Sequence, residues 1–288
     1  MERVRQITRV NEAHKLGYIG NNVTVAVMDT GIGTHIDFGQ RIRGFRDYVG
    51  DKKILYDDNG HGTHVSGIIA GSGFASHGRY RGMAPGAAIY AIKVLDRMGK
   101  GNTRLVVSAL KWLISNYEKM NIRILNISVG MLASARREEQ EELLAAIEAV
   151  WDAGIVVVAA AGNNGPKDKS ITIPGLCRKI ITVGSSDDEE GEVKNLGLMR
   201  GYSGRGPTEA CIMKPEVVAP GTAIVSCKRM GNGYEMKSGT SMATPVVAGA
   251  VAVLLSRYSN LKPAEVKLRL YETSVDLSLI HISEPTRP

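Results

Sequence analysis

The chain has 288 residues, of which 43% are hydrophobic and 23% charged, a composition typical of an ordinary globular protein. Its net charge of +7 comes from Lys and Arg residues that are scattered without a basic block, which argues against nucleic acid as a partner. The sequence contains no run of about eighteen apolar residues and no signal-peptide core, so we expect no membrane partner and a cytoplasmic location.

Three cysteines, Cys177, Cys211 and Cys227, lie far apart in the chain and do not have metal-ligand spacing. An odd number of cysteines argues against a disulfide framework. We therefore predict free thiols in a reducing compartment.

Short apolar runs that alternate with helical patterns organise the whole chain. The runs predict strands over residues 23–29, 88–95, 124–129, 155–161 and 180–184. Amphipathic patterns predict helices over residues 103–119, 134–153 and 263–273, and two more helices begin near His61 and near Ser241. Thr103 is the predicted cap of the first of these helices.

The alternation predicts a fold of the α/β class, with a doubly wound, mostly parallel sheet and helices on both faces. No internal repeat or interdomain linker is visible, so one domain is the simplest interpretation. In sheets of this kind, ligand sites lie beyond the carboxyl ends of the strands. The residues that follow each predicted strand are therefore the first place to look for function.

The first strand ends in the turn "MDTGIG", which carries Asp29 between an apolar run and two glycines. Gly31 and Gly33 also open a dinucleotide-binding fingerprint, but Ile36 stands where the third glycine is required. Asp47 lies near the distance of a ribose-binding acid, which keeps that alternative open. A catalytic carboxylate at Asp29 predicts instead a histidine and a nucleophile at helix starts elsewhere.

A histidine at a helix start is present in "NGHGTHVSG", where glycines flank His61 and leave its imidazole accessible to a substrate. His64 follows one helical turn later. The spacing of the two histidines lacks the pattern of a zinc-binding helix, so we interpret His64 as a structural residue.

A nucleophile at a helix start is present in "SGTSMATPVVAG", where Ser241 precedes an apolar helix with Pro245 in its first turn. The free amides at the start of such a helix favour an anion at Ser241. Taken alone, Ser241 is better explained as a plain helix cap.

Together, the three segments, in the order Asp, His, Ser, resemble the subtilisin-like serine proteases. The segments "RGMAPGAAIYAIKVL", "LNISVG", "VVVAAAGNNGP" and "KPEVVAPG" also resemble matching segments of that family. The sequence begins almost at the catalytic domain, without a signal or a pro-domain, and in this it resembles the intracellular branch. The resemblance implies one catalytic domain over residues 1–276. Residues 277–288 resemble the translation of a sequencing adapter and are predicted to be a non-native or disordered tail.

The resemblance implies a serine endopeptidase that acts on polypeptides and needs no cofactor for its chemistry. Ser241 would be the nucleophile, His61 the general base, Asp29 its partner, and Asn163 the oxyanion donor, with Asn164 as the competing candidate by position. The implied substrate-binding residues lie in two extended segments and one pocket: Gly99, Lys100, Gly101, Ser128, Val129, Gly130, Ala160, Ala161, Gly162 and Thr172.

Thr172 stands where the family often has glycine, which implies a shallower pocket. Recognition through the peptide backbone implies broad specificity. Asn164 stands where some relatives carry an acid, which implies a preference for apolar rather than strictly basic residues before the scissile bond. The loop "GSGFASHGRYRG" lacks the calcium-binding residues of many secreted relatives, and only Asp37 resembles a ligand of a structural calcium ion. A catalytically inactive, peptide-binding domain of the same fold is the alternative function. The oligomeric state is left open.

Overall fold

The computed structural model describes residues 1–130, 136–189 and 200–275. Within these residues the strands are β1 Thr24–Asp29, β2 Ile42–Asp47, β3 Ala88–Lys93, β4 Ile122–Ile127, β5 Val156–Ala160, β6 Ile181–Ser185, β7 Val217–Ala219, β8 Ile224–Cys227 and β9 Tyr234–Lys237. The helices are α1 Glu2–Ile7, α2 Val10–Lys15, α3 His61–Ala70, α4 Thr103–Asn116, α5 Arg137–Asp152, α6 Thr240–Arg257 and α7 Pro263–Thr273.

Seven strands form one parallel sheet in the order β2-β3-β1-β4-β5-β6-β7, and β8 pairs with β9 in an antiparallel hairpin. The predicted α/β class, doubly wound around a parallel sheet, is confirmed. The chain passes from β1 to one side of the sheet and later crosses to β4 on the other side. This reversal opens a crevice at the carboxyl end of β1, where Asp29 lies.

The core lies on the central strands, because their side chains are enclosed on both faces. Every residue of β1, β5 and β6 is buried. Helix α3 packs against α6, and α4 packs against α5. Such continuous burial explains why these strands are apolar almost throughout rather than alternating.

Helix α6 is long and apolar enough to span a membrane by composition, yet 72% of it is buried inside the fold. It contacts β4, β5 and β6, so its apolar surface packs against the sheet. A helix that is apolar on all sides fits a fully enclosed position in a large core.

Five predicted strands are present, with ends that differ by one or two residues. The clearest shift is at β4, which ends at Ile127, so that Ser128 and Val129 lie beyond the strand. Ile127, the last residue of β4, pairs with Met28 of β1 and with Ala159 of β5. Ser128 and Val129 are therefore free of the sheet, whereas Ala160, another predicted substrate-binding residue, is the last residue of β5.

Helix starts also differ from the prediction. Asn102, not Thr103, caps α4, because its side chain accepts a hydrogen bond from the Arg104 N–H at 2.9 Å. Helix α4 ends at Asn116 rather than at residue 119. Helix α5 begins at Arg137, and the predicted start at Ser134 lies outside the described residues.

Several elements carry too weak a pattern to be predicted. Strand β2 lies at the sheet edge and is mostly half-exposed or exposed, β7 has three residues, and no residue of β9 is buried. Helices α1 and α2 have six residues each. Short or edge elements bury too little surface to require a periodic apolar sequence.

Candidate active site

Asp29 and His61 meet at the carboxyl end of β1. The Nδ1 atom of His61 lies 2.8 Å from Asp29 Oδ1 and 2.9 Å from Oδ2, and the Thr30 N–H donates to Oδ1 at 2.7 Å. Asp29 is completely buried, whereas the His61 side chain keeps 23% of its surface exposed. The pairing fixes one ring nitrogen of His61 and leaves Nε2 without a hydrogen bond inside the described part of the chain.

The surroundings of His61 raise its pKa above the ordinary value of a histidine in water. Burial lowers the pKa of His61, but the charge and hydrogen bond of Asp29 raise it by more, so it lies above its ordinary value. Lys237 lowers this pKa and Asp57 raises it, each by a smaller amount. An imidazole in this setting accepts a proton readily and stabilises the resulting cation.

Ser241 is the second residue of α6, and the cap position belongs to Gly239. Ser241 is therefore not a helix cap. Pro245 is the sixth residue, counted from Thr240, and not part of the first turn as predicted. Because proline has no N–H, it cannot donate to the Ser241 carbonyl as residue i+4 normally does.

Ser241 and His61 lie on helices that pack against each other. No hydrogen bond joins their side chains within the described residues. Such hydrogen bonds are often long in a ligand-free site and shorten when substrate binds, so the absence of this one does not argue against a functional pair.

Asn163 is held against the start of α6 by its carbonyl oxygen. Asn163 Oδ1 accepts hydrogen bonds from the N–H and the hydroxyl of Thr240, both at 3.0 Å. A Cβ on Gly239 would lie 3.1 Å from Asn163 Nδ2, so glycine leaves room for the amide. Two donors on Oδ1 orient the side chain and leave its NH2 group free to donate. Asn164 makes no comparable bond within the described residues.

The two segments predicted to bind substrate differ in exposure: residues 99–101 are all exposed, whereas Ser128 is completely buried, Val129 is half-buried and Gly130 is exposed. Asp96 folds residues 95–101 into a tight turn, in which Gly99 has a φ of +72° and is not extended. The Lys100 N–H donates to Asp96 Oδ1 and the Lys100 carbonyl accepts from the Asp96 N–H, both at 2.9 Å. Within the described residues, the Lys100 N–H and carbonyl are both paired inside this turn, whereas the Gly101 N–H and carbonyl have no hydrogen-bond partner.

Thr172 lies between the two walls of the predicted pocket. A Cβ added to Gly130 would lie 2.3 Å from Thr172 Oγ1, and a Cβ added to Gly162 would lie 2.4 Å from the same atom. The Thr172 N–H donates to the Ala161 carbonyl at 2.9 Å, and Ala160 and Ala161 are buried behind it. The threonine side chain thus fills the slot between the glycines.

Asp37 does not fit the role of a calcium ligand. Its carboxylate accepts hydrogen bonds from the Gly73 N–H at 3.1 Å, the Ala75 N–H at 3.0 Å and the Tyr234 hydroxyl at 2.9 Å. Calcium requires oxygen ligands whose lone pairs face the ion, and here N–H and O–H donors face the carboxylate instead.

The adjacent loop carbonyls are also occupied, by the buried side chain of Arg5. Its guanidinium donates to the carbonyls of Arg81 at 2.6 Å, Gly78 at 3.3 Å and Arg79 at 3.4 Å. His35 and Cys227 lie near Asp37, but His35 Nδ1 accepts from the Asp37 N–H at 3.1 Å. This cluster is held together by its own hydrogen bonds.

His64 is completely buried, and its Nε2 lies 3.1 Å from the carbonyls of Ile224 and Glu235. Burial, with smaller contributions from Lys237 and His61, lowers its pKa to about 3, so it stays neutral. Its structural role, as predicted, is to join α3 to the β8-β9 hairpin. Asp47, the candidate ribose-binding acid, instead accepts hydrogen bonds from the backbone N–H groups of residues 49, 50 and 52.

All three cysteines are free thiols, as predicted.

Other polar residues near the site were missed by sequence reasoning. Thr240 orients Asn163, Asp57 precedes α3 and bonds to Thr63 in its first turn, and Lys93 is completely buried beside the Asp29 turn. The Lys93 Nζ donates to the Thr30 carbonyl at 2.7 Å and to Asp58 at 2.6 Å. Of these residues, only Lys93 gives a signal in the sequence: a lysine inside an apolar strand indicates a buried charge, and a buried lysine requires polar partners.

A buried carboxylate paired with a histidine at the carboxyl edge of a parallel sheet, with a serine at the start of a helix that packs against the histidine's helix, is the side-chain set of a serine hydrolase. The model of the subtilase family matches residues 20–285, and the chain therefore belongs to this family. The match extends to residue 285, into the segment predicted as a tail, which lies outside the described residues.

Individual relatives agree with this assignment. Serine protease AprX of Bacillus subtilis (strain 168) is 43% identical over 266 residues, which cover 86% of this chain and 60% of that protein. Subtilisin DY of Bacillus licheniformis is 34% identical and covers 94% of this chain and 90% of its own length. This chain thus spans less than two thirds of AprX but most of subtilisin DY.

Solved structures with the same fold include a cold adapted subtilisin-like serine proteinase, with a TM-score of 0.73 and 31% identity over 90% of this chain and 84% of that one. Sphericase has a TM-score of 0.75 and 28% identity over 88% of this chain and 84% of its own.

Proposed function

We propose that this chain is a serine endopeptidase in which Asp29, His61 and Ser241 form the catalytic triad. The observation that carries the proposal is the pairing of His61 Nδ1 with both oxygens of the completely buried Asp29. This pairing directs the other ring nitrogen toward the exposed side, where it can serve as a base. Ser241, partly exposed at the positive end of α6, is the nucleophile.

The chemistry proceeds in two steps. Ser241 Oγ attacks the carbonyl carbon of the scissile peptide while His61 Nε2 takes its proton. The C–N bond then breaks, and the same proton passes from His61 to the leaving amine. Water next attacks the acyl carbon and gives one proton to His61. The bond between that carbon and Ser241 Oγ then breaks, His61 returns the proton to Ser241 Oγ, and the new carboxylic acid leaves. Asp29 remains ionised throughout and stabilises the imidazolium.

Asn163 stabilises the negative oxygen of the tetrahedral intermediate, together with the Ser241 N–H. Two hydrogen bonds from Thr240 hold the Asn163 carbonyl oxygen and so direct its NH2 group away from them. Preorganised donors of this kind act most strongly where charge develops in the transition state.

The substrate peptide binds as an added strand between Gly101 and residues 128–130. Support comes from their position beyond the strand ends and from the unused backbone groups of Gly101. Backbone pairing recognises the peptide main chain and is therefore broad in specificity. The side chain before the scissile bond enters the slot beside Thr172, which favours small apolar residues over large aromatic ones.

Labelling with a fluorophosphonate tests the nucleophile and separates the proposal from its alternative, an inactive peptide-binding domain. We expect covalent attachment at Ser241 and cleavage of a denatured protein substrate. Ser241→Ala should abolish both and keep the melting temperature, because one partly exposed oxygen is lost. A folded chain that neither labels nor cleaves would favour the inactive domain.

The slot is tested by Thr172→Gly, assayed with peptides that carry Ala or Phe before the scissile bond. Removing the side chain should raise kcat/KM for Phe relative to Ala by about tenfold, the scale of an apolar contact in a pocket. Thr172→Ser is the matched control, because it keeps a hydroxyl between the glycines. An unchanged ratio in Thr172→Gly would exclude Thr172 as a specificity residue.

A further inference from the structure

Two reciprocal hydrogen bonds join the turn that follows Asp29 to the start of the His61 helix. The Thr30 hydroxyl, on the turn, accepts from the Gly62 N–H on the helix at 2.9 Å. The Thr63 hydroxyl, on the helix, accepts from the Gly33 N–H on the turn at 2.8 Å. Both threonines are completely buried. Each segment therefore supplies one hydroxyl and one amide to the other.

Both hydroxyls donate their protons to one carboxylate, that of Asp57. Thr30 Oγ1 donates to Asp57 Oδ1 at 2.9 Å, and Thr63 Oγ1 donates to Oδ2 at 2.6 Å. The N–H groups of Asn59, Gly60 and Thr63 donate to the same carboxylate at 3.1, 2.7 and 2.9 Å. Because a carboxylate only accepts, its presence sets the direction of both hydroxyl bonds.

Asp57 is ionised in this setting. Burial raises its pKa, but the hydrogen bonds from Thr63, Gly60 and Thr30 lower it by more, so the pKa lies below its ordinary value. Hydrogen bonds to an ionised acceptor are stronger than those between neutral groups. The carboxylate therefore holds its five donors firmly at neutral pH.

The backbones of the turn and the helix are in direct contact at this point. A Cβ on Gly62 would lie 2.2 Å from the Gly31 carbonyl oxygen, and a Cβ on Gly31 would lie 2.1 Å from that of Tyr56. Gly31 also has a φ of +118°. With no side chain between the segments, their separation is set by backbone contact and by the two hydroxyl bonds.

We propose that Asp57, Thr30 and Thr63 form a hydroxyl clamp that positions Asp29 against His61. The clamp residues touch no reacting atom, so they are positioning residues, and their effect on catalysis rests on the proposed function. Thr30 follows Asp29 directly, and Gly62 follows His61 directly. A shift of either segment would therefore change the contact between Asp29 and His61 Nδ1.

Asp47 provides a matched control, because it shows what a carboxylate does when it only caps a loop. Asp47 accepts from the N–H groups of Val49, Gly50 and Lys52 and from the Tyr56 hydroxyl, but it contacts neither Asp29 nor His61. Asp47 thus caps a neighbouring loop with a similar number of donors. Asp47→Asn should lower stability without changing His61.

The charges that face His61 make its titration a second readout. They come from Asp29 on β1, Asp57 before α3 and Lys237 on β9, while His64 on its own helix is neutral. Asp29 and Asp57 raise the pKa of His61, and Lys237 lowers it. Loss of the Asp57 charge should therefore shift the His61 titration to lower pH.

The experiment compares Thr30→Val, Thr63→Val and Asp57→Asn with Thr30→Ser, Asp47→Asn and the unaltered chain. We expect kcat/KM to fall about 10- to 100-fold in the first three, mainly through kcat, because small misplacements of catalytic groups have effects of this size. Thr30→Ser keeps the hydroxyl and should restore most of the rate. Thr63→Val provides the test if Thr30→Val does not fold.

Nuclear magnetic resonance of the ¹⁵N-histidine-labelled protein measures the clamp without relying on activity. In the valine variants, the downfield signal of the His61 Nδ1 proton should weaken or move, and in Asp57→Asn the His61 titration should shift to lower pH. An unchanged signal and titration in all three variants would overturn the clamp, as would the same change in Asp47→Asn. A chain that neither cleaves nor labels at Ser241, yet shows these spectral changes, would refute the proposed function and leave the clamp intact.

Discussion

Asp29 and Asp37 are two aspartates that are both completely buried, yet their surroundings differ in kind. Asp29 is paired with an imidazole whose other side is partly exposed. Asp37 is enclosed by the backbone amides of Gly73 and Ala75 and by the Tyr234 hydroxyl. The first carboxylate is paired with a group that can exchange a proton, and the second holds a loop.

The difference shows what makes a buried carboxylate useful for catalysis. A backbone amide cannot release its proton at neutral pH, so a carboxylate held by amides only fixes geometry. An imidazole changes its charge near neutrality, and a buried partner shifts the pH at which it does so. The same substitution, Asp to Asn, should therefore remove activity in the Asp29 region and stability in the Asp37 region.

Asp29→Asn should reduce the catalytic rate more than any change outside the triad. The amide would donate to His61 Nδ1 and so favour the tautomer that cannot accept the Ser241 proton. We expect kcat to fall about 10⁴-fold, the loss known for the same substitution in a serine protease of another fold. Steady-state kinetics and a thermal melt check it, and a loss below about tenfold would contradict the role of Asp29.

Asn163→Ala tests the side chain proposed to donate to the negative oxygen of the tetrahedral intermediate. Loss of its NH2 group should lower kcat about 10²- to 10³-fold with little change in KM, which is the magnitude known for the oxyanion asparagine of a subtilisin. Thr240→Val is the matched control for orientation, because it removes one of the two bonds to Oδ1 and should have a smaller effect. A rise in KM alone would make Asn163 a binding residue.

The pH dependence of kcat/KM reports on the Asp29–His61 pair itself. His61 must be neutral to act as a base, so activity should rise with pH through its pKa and fall about tenfold for each unit below it. Because Asp29 raises that pKa above its ordinary value, Asp29→Asn should move the acid limb of its residual activity to lower pH. A flat profile between about pH 5 and about pH 9 would exclude a histidine base.

Asp37→Asn tests the other side of the comparison and has the smallest expected effect on rate. The new NH2 group would face donors, which costs about 1–3 kcal/mol and lowers the melting temperature by about 5 °C. Peptidase activity below the transition should stay within about twofold of the unaltered chain. Thermal melts with and without a calcium chelator complete the test. If the chelator lowers the melting temperature of the unaltered chain but not that of Asp37→Asn, Asp37 is a calcium ligand after all.

The local sequence predicts much of this molecule because turns and helix starts are encoded by neighbouring residues. Glycines around Asp29 and His61, and an apolar helix after Ser241, mark sharp turns at element ends whatever the rest of the chain does. Continuous apolar runs predict the central parallel strands for a similar reason, since burial on both faces leaves no polar position. Edge strand β2 and the β8-β9 hairpin give no such signal.

Only the tertiary structure decides which polar groups meet. Asn163 is distinguished from Asn164 by Thr240, which lies 77 residues further along the chain, and Thr30 reaches Asp57 across 27 residues. Asp37 resembles a calcium ligand in sequence, and only its partners in space exclude that role. Backbone propensity acts over a few residues, whereas the partner of a buried donor or acceptor depends on how distant segments pack. The sequence therefore determined the fold class and the candidate reactive groups, and packing determined how those groups are oriented and held.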